Sequence, residues 1–347
     1  MEAHAVSSLV NTRVVLASFP RDLPTSKDFR IEKICVPPLR EGEVLLRTRY
    51  VSVDAHMRGH RSSEKSGAPS FSIGDVIEAD ATAEVLASND PAILPGTIVL
   101  AKAGWQTHAI VRASAIDRFD LKEIPEMTAL AVLGTPAFTA YAGLAQIGKP
   151  QPGETLVVPA ALGAVGTMVG QFGRIAGAWT VGIVSGPDEV AFARNELGFG
   201  AAVDHTLPDW PSRLAEACPD GIDVYFETIG GALWHMILPM LNDGARVVLS
   251  GTPAQYNHGY GGASQYQHPS TLQWLVNSTG TIGAIQPPKT DFAEFLAVVD
   301  ESVRTGAIWH RIHVVEGLEH AAEAWLTAID GPNYSGRIIQ VTRNTAT

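Results

Sequence analysis

The sequence predicts an α/β protein of two domains, one β-rich and one built on a parallel sheet covered by helices on both faces. Its 347 residues exceed what one ordinary hydrophobic core organises. Up to about Pro125, short strand-like segments follow one another between Gly, Pro, Asn and Asp. Beyond Pro125, short apolar runs alternate with helical patterns, the signature of β-α-β units.

In the first region Glu43–Val53 reads as a strand, as do Val76–Ala87, Thr97–Ala101 and Thr107–Val111. Strands so short and closely spaced fit a partly closed barrel. Helical spacing begins at Met127–Leu133 and continues over Ala137–Ile147. The alternation then runs strand Thr155–Ala160, helix Gly163–Ala176, strand Thr180–Val184, helix Asp188–Leu197, helix Asp209–Ala217, strand Ile222–Glu227, helix Leu233–Leu241 and strand Arg246–Ser250. Gly198 is placed to end the helix before it. Ile282–Ile285 suits an edge strand and Phe292–Thr305 a helix. After His310 the chain returns to the first domain and ends in the strand Arg337–Val341. The expected division is 1–125 with 312–347, and 126–311.

Apolar residues make up 46% and charged residues 18%, which suits a packed domain rather than a disordered chain. The net charge of −11 disfavours nucleic acid and anionic membranes as partners. Two cysteines, Cys35 and Cys218, suit a reducing compartment, although one disulfide is arithmetically possible. The first residues, MEAHAVSSLV, lack the basic and apolar regions of a secretory signal. Leu156–Gly170 reads as the longest apolar stretch; it is too short to span a bilayer and is broken by Pro159 and glycines. The expectation is a soluble, cytoplasmic protein acting on a small molecule.

The segment VVPAALGAVG, Val157 to Gly166, carries the first chemical signal. Ala161, Gly163 and Gly166 occupy the small positions of a G-x-G-x-x-G pattern. The first permits a tight turn, the second lets backbone approach a pyrophosphate, and the third lets the helix pack close to the sheet. Gly163, Ala164, Val165 and Gly166 then offer the first N–H groups of a helix to phosphate. The strand before and the helix after raise this above a bare motif match; a small-residue helix on a sheet is the plain alternative. Leu162 must point away from any ligand in that turn. After the second strand comes Ser185-Gly-Pro-Asp188-Glu189, near where an acidic residue grips the ribose 2′-hydroxyl of NAD. No Lys or Arg lies between Thr180 and Glu189 to meet an NADP 2′-phosphate. Asp188 and Glu189 equally favour the start of the next helix.

Several strings together resemble a known family: VSVDAHMRG (Val51–Gly59), LGTPAFTAYAGL (Leu133–Leu144), GETLVVPAALGAVG (Gly153–Gly166), NELGFGAAVD (Asn195–Asp204), CPDGIDVYFETIGG (Cys218–Gly231), AQYN (Ala254–Asn257) and NYSGRIIQV (Asn333–Val341). The chain resembles the zinc-independent medium-chain dehydrogenase/reductases, in the branch of leukotriene B4 12-hydroxydehydrogenase, prostaglandin reductase and plant alkenal double-bond reductases. The resemblance implies a GroES-like β-barrel catalytic domain plus a Rossmann doubly wound parallel-sheet cofactor domain, with the active site between them. It implies hydride transfer from NAD(P)H to the β-carbon of an α,β-unsaturated aldehyde or ketone, then protonation at the α-carbon. Tyr256 matches the family tyrosine beside the nicotinamide ribose and substrate carbonyl, where a hydroxyl stabilises oxyanion charge or assists protonation. A loop tyrosine with a solvated hydroxyl is the plain alternative. Thr139 and Tyr141 match positions beside the nicotinamide, and Asn333 matches an asparagine that reaches the cofactor, with a turn residue after Gly331-Pro332 as the plain alternative. Homodimerisation through the sheet edge is a further family expectation. Zinc is not expected, because two isolated cysteines supply neither a cysteine–histidine–cysteine site nor a four-cysteine lobe.

Departures from the family pattern bear on cofactor and substrate. Glu189 stands where the family usually has lysine and His205 where it has tyrosine, the pair that holds the NADP 2′-phosphate. The family implies NADPH; these two changes lean toward NADH. His56 replaces a tyrosine on the substrate side, as an acid/base or a polar wall. Thr228 replaces the asparagine before V-G-G, at the cofactor. Ala284 replaces a pocket-wall phenylalanine, widening the expected pocket. The glycine-rich segment Asn257–His268 reads as a lid or as a plain surface loop. A quinone or carbonyl reductase and a non-catalytic dinucleotide-binding sensor remain open as alternatives on the same scaffold.

Overall fold

The computed structural model describes residues 9–20, 24–53, 72–117, 124–230, 232–250, 279–285, 292–330 and 336–342. The chain forms two compact units, Met1–Gly134 with Arg311–Thr347, and Thr135–His310.

The first unit is organised by β3 (Glu43–Val53). This strand is long enough to hold different partners along one edge. Its first half pairs antiparallel with β6 (His108–Arg112) and its last residues with β15 (Gly336–Gln340). Its other edge pairs with β4 (Ala81–Ser88), across irregularities at Leu45/Leu46 and Thr48/Tyr50 that bend the ladder. The seven-stranded sheet runs β14-β15-β3-β4-β5-β7, with β6 beside β3; β5 is Ile98–Ala101, β7 Ile116–Asp117 and β14 Ile312–Glu316. A separate antiparallel pair, β1 (Val10–Leu16) and β2 (Phe29–Cys35), is bridged to the neighbouring loops at Arg13–Gln106 and Val15–Val76. One core serves all of this. Fully buried Trp105 lies within it and donates its indole N–H to the Ser52 carbonyl at 3.0 Å. Phe29 packs against both Trp105 and Trp325, the latter on α8 (Ala321–Asp330).

The helix α1 (Glu126–Leu133) belongs to this first unit, not the second as the change of pattern at Pro125 suggests. Glu126 pairs with Arg49 on β3 at 3.1 Å, so the helix is pinned to the first sheet. Together with α2 (Thr135–Gly143) and a π-helical turn (Leu144–Gly148), it forms an apolar run longer than Leu156–Gly170. That run is interrupted at Gly134 and mostly buried, as expected of core helices.

The second unit holds a six-stranded, all-parallel sheet in the order β10-β9-β8-β11-β12-β13. The strands are β8 (Thr155–Pro159), β9 (Trp179–Val184), β10 (Ala201–Asp204), β11 (Ile222–Glu227), β12 (Leu241–Leu249) and β13 (Thr281–Ala284). Counted from β8, this is the doubly wound order 3-2-1-4-5-6. Alternate residues serve opposite faces. Val157, Val181, Tyr225 and Val247 meet α5 (Trp210–Ala217) and α6 (Ala232–Ile237) through Leu214, Trp234 and Ile237. Leu156, Val224, Phe226 and Val248 face α2, the π turn and α3 (Ala164–Ile175). The remaining helices are α4 (Pro187–Asn195) and α7 (Phe292–Arg304); Phe295 of α7 packs against Phe138 and Tyr141 of α2.

The helix α3 lies close to the sheet because it carries glycine where it touches. At Gly170 an added Cβ would overlap the ring of buried Phe199, which is itself held against Gly182 of β9. Gly170→Ala is therefore expected to destabilise the second unit. Overpacking costs about 1–3 kcal/mol, against a helix-propensity gain of about 1 kcal/mol. Urea denaturation followed by circular dichroism would read this as a lower midpoint; an unchanged or raised midpoint contradicts it.

Candidate dinucleotide site

The carboxyl ends of β8 and β11 flank the point where the strand order reverses, the place where open α/β sheets bind ligands. The chain leaves β8 through Ala160, which holds a left-handed φ of 46°. For a residue with a Cβ this conformation costs about 1–2 kcal/mol. The turn is tied on every side: Ala161 N–H donates to Ile183 O at 3.2 Å, and Gly163 N–H to Ala160 O at 2.8 Å. The Thr167 hydroxyl donates to Ala161 O at 3.3 Å. A Cβ on Gly166 would overlap the Ala160 carbonyl, so the third small position has no room for alanine.

The helix that follows is open at its start. Gly163 is its N-cap and provides no side-chain cap, and no acidic residue lies in the first turn. Gly163, Ala164 and Val165 are half-exposed, while Leu162 is buried, pointing away from the ligand side. The N–H groups and the positive end of the helix dipole fit a pyrophosphate without rearrangement. The residues present therefore match a dinucleotide, which the backbone N–H groups of Ala164, Val165 and Gly166 would hold, while Gly163, whose own N–H is given to Ala160 O, leaves room for the phosphates to approach.

At the end of β9 the donors are already engaged. Ser185 N–H donates to Glu189 Oε2 at 2.7 Å, and Ser185 Oγ lies 2.9 Å from His205 Nε2. His205, just after β10, is fixed by its N–H to Val184 O at 3.0 Å. Asp204 orders the loop after β10: its Oδ1 accepts Thr206 N–H at 2.9 Å and the Thr206 hydroxyl at 2.7 Å, with Gly186 N–H nearby. Burial acts to raise the Asp204 pKa, but these hydrogen bonds and nearby His205 outweigh it and hold the carboxyl below its ordinary value. Ser185, Glu189 and His205 thus form one cluster, as the sequence pairing implies. Asp188 stands exposed in the first turn of α4. The role of Asp204 was not read from sequence, because the short strand before it was not recognised.

At the end of β11 the Thr228 hydroxyl donates to Pro159 O at 3.2 Å, joining the two strands of the switch point. Glu227 beside it is fully buried; its Oε1 accepts Ile229 N–H and Gly230 N–H, both at 2.7 Å. Burial pushes its carboxyl above the usual range. Sequence reading passed over this residue. A carboxylate at the end of an apolar strand was its only signal.

Thr139 on α2 donates its hydroxyl to Thr135 O within the helix at 2.7 Å, which leaves it an acceptor toward a ligand. Tyr141 is packed against Phe172 and Phe295, so its ring serves the core of the second unit. Tyr256, His56, Asn333 and the segment Asn257–His268 lie outside the described residues, as does the side chain of Ala284.

Neither cysteine is disulfide-bonded. Burial pushes the Cys218 thiol up to about 12, the wrong direction for a zinc ligand, which must be a thiolate. Among the described residues no group of three His, Cys, Asp or Glu is gathered as a metal site. The expectation of no zinc also counts no H-x-x-x-H pair among the 11 histidines, which the sequence corrects: His56 and His60 stand at that spacing, and both lie outside the described residues.

Comparison with known proteins agrees with this architecture. Residues 12–118 match the family described as the N-terminal domain of oxidoreductase, and residues 164–299 the family described as zinc-binding dehydrogenase. The chain is 38% identical over 337 residues to the NADPH-dependent curcumin reductase of Escherichia coli, covering 95% of this chain and 97% of that one. It is 32% identical over 324 residues to prostaglandin reductase 1 of Bos taurus, covering 91% and 95%. The crystal structure of CurA from Vibrio vulnificus in complex with NADPH superposes with a TM-score of 0.86 at 35% identity, over 96% of this chain and 99% of that one. The chain therefore belongs to the zinc-independent medium-chain dehydrogenase/reductases, with their barrel and Rossmann domains.

Proposed function

We propose that this protein is an NADP(H)-dependent reductase of the carbon–carbon double bond in α,β-unsaturated aldehydes and ketones. The observation that carries the reading is the open start of α3 at the switch point, in a chain alike over its full length to reductases of this kind. The bound nicotinamide supplies a hydride to the β-carbon. The chain's own groups bind, orient and protonate. Backbone N–H groups of Ala164 to Gly166 hold the pyrophosphate beside Gly163, and Thr228 keeps the neighbouring strand end in register with it. Tyr256 is assigned to the substrate carbonyl, where its hydroxyl donates to the oxygen as negative charge develops. The α-carbon then takes a proton, with His56 or solvent as the source. Asn333 and Thr139 are assigned to the nicotinamide end.

The lean toward NADH drawn from Glu189 and His205 does not carry over. Relatives alike over the full chain are named as NADPH-dependent, and one was solved with NADPH. Ser185 N–H becomes a donor toward a 2′-phosphate once the Glu189 carboxylate turns aside, and the Ser185 Oγ–His205 Nε2 pair beside it adds a second when their shared hydrogen bond opens or His205 Nε2 donates to Ser185 Oγ and frees the hydroxyl proton. The protein is further proposed to be cytoplasmic, which two free cysteines support, and to dimerise through β13, the terminal strand of the parallel sheet.

Nicotinamide absorbance with an enone and NADPH, joined to product analysis, tests the reaction. A saturated ketone is expected; an allylic alcohol as product, or no turnover across enals and enones, overturns it. Tyr256→Phe is expected to lower kcat by about a hundredfold. Retention of full kcat would remove Tyr256 from the chemistry. Glu189→Gln is expected to raise kcat/KM for NADPH about threefold, roughly 0.7 kcal/mol, and to leave that for NADH within about 1.5-fold. Parallel kinetics with both cofactors read the ratio, and an unmoved ratio shows that Glu189 does not face the 2′-phosphate.

A further inference from the structure

Glu227 is a carboxylate where the fold has no evident need of one. It ends β11, a strand otherwise filled with core residues, and is fully buried. One oxygen gathers the N–H groups of Ile229 and Gly230, and the carboxyl also interacts with the buried hydroxyl of Tyr225. Its own carbonyl accepts Ser250 N–H at 3.0 Å from the end of β12. Directly after it, Thr228 donates to Pro159 O, and the next residue, Ala160, is the strained entry to the phosphate turn. A single buried side chain therefore shapes the loop that touches the cofactor turn. Taking a carboxyl out of water is costly unless its hydrogen bonds are met, and a buried acid that raises its own pKa is a poor choice for stability alone.

We propose that Glu227 is a positioning residue of the dinucleotide site: its carboxyl oxygen holds the Thr228–Gly230 turn in the shape that seats Thr228 on Pro159 and so sets the phosphate turn. The inference rests on the dinucleotide reading above. It acts through Thr228, not by touching the cofactor. What it requires is an acceptor at Oε1. A glutamine keeps that acceptor at the same volume. A methionine fills the space without one.

Titration of dinucleotide binding, for the full chain and its variants, decides the matter together with steady-state kinetics at saturating cofactor. Glu227→Met is expected to weaken NADPH binding about tenfold while kcat at saturation stays within about threefold; Glu227→Gln is expected to restore binding to within about twofold of the native chain. Thr228→Val alone is expected to weaken binding severalfold, and to add little in the Glu227→Met background, because both act on one contact. A folded Glu227→Met chain with native affinity overturns the proposal, as does a glutamine variant that binds as poorly as the methionine one. If Glu227→Met does not fold, Thr228→Val decides: native affinity there overturns the proposal equally. Failure of the native chain to bind any nicotinamide dinucleotide would overturn the functional reading itself, and this inference with it.

Discussion

At the start of α3 the backbone of Gly166 lies against the carbonyl of Ala160, closer than any side chain permits. That approach sets the seating of the helix on the sheet. It obliges Ala160 to take a left-handed conformation, which a residue with a Cβ adopts only under constraint. Continued along the same helix face, it brings Gly170 against Phe199 and Gly173 against Leu156, so that the whole length of α3 lies near the strands. A helix held this way aims its free N–H groups at the end of the switch point rather than at bulk solvent. Small residues in the turn, strain in the backbone and an uncapped helix start are therefore one arrangement, and losing the close approach would loosen all of it.

The two ends of the dinucleotide site are prepared differently. At the phosphate end, donors stand free and no carboxylate lies nearby in the helix. At the ribose end, Glu189 and Asp204 already hold the donors of Ser185 and Thr206. By charge alone this end should repel a 2′-phosphate. Ser185 and His205 are exposed, however, and Glu189 is only half-buried. Charge contacts at such positions are worth about 0–1 kcal/mol and are screened by salt. A side chain held that weakly can turn aside for a phosphate that brings several charge-assisted hydrogen bonds of its own. This explains how a glutamate in place of the usual lysine is compatible with NADPH-dependent relatives. Residue charge read from sequence weighs every carboxylate equally, whereas exposure decides how much each one counts.

The same distinction explains what the sequence made legible. The strand β3 was readable from its β-branched residues and partial alternation, and β8 and β11 from apolar residues that the fold buries. The phosphate turn was readable because steric exclusion at Gly166 leaves a fixed residue type at a fixed spacing. The strand β2 was missed because its pattern runs out of phase with its burial: Ile31 faces solvent, while Glu32 is turned toward Arg13 on β1 and pairs with it at 2.8 Å. An ion pair replaces the alternation on which strand recognition depends. The short β10 was missed because Ala201–Asp204 has little strand propensity and owes its place to parallel pairing with β9. With β10 absent, Asp204 could not be seen as the residue that orders the loop after it. The start of β12 was hidden by Asn242-Asp243-Gly244, which reads as a turn and here lies within an irregular strand.

Glu189 and Glu227 show how one residue type is put to opposite uses on one sheet. Glu189 lies half-buried in the first turn of α4, beside the end of β9, and its contact with exposed Ser185 N–H can be exchanged for water or ligand at small cost. Glu227 is sealed from water, so its contacts with Ile229 and Gly230 have no solvent substitute. Breaking them would leave buried N–H groups without an acceptor, at about 1–3 kcal/mol each. Such a difference makes the first carboxylate adjustable and the second fixed. The proposed site thus pairs a fixed turn beside the phosphate end with a contact at Ser185 that can yield.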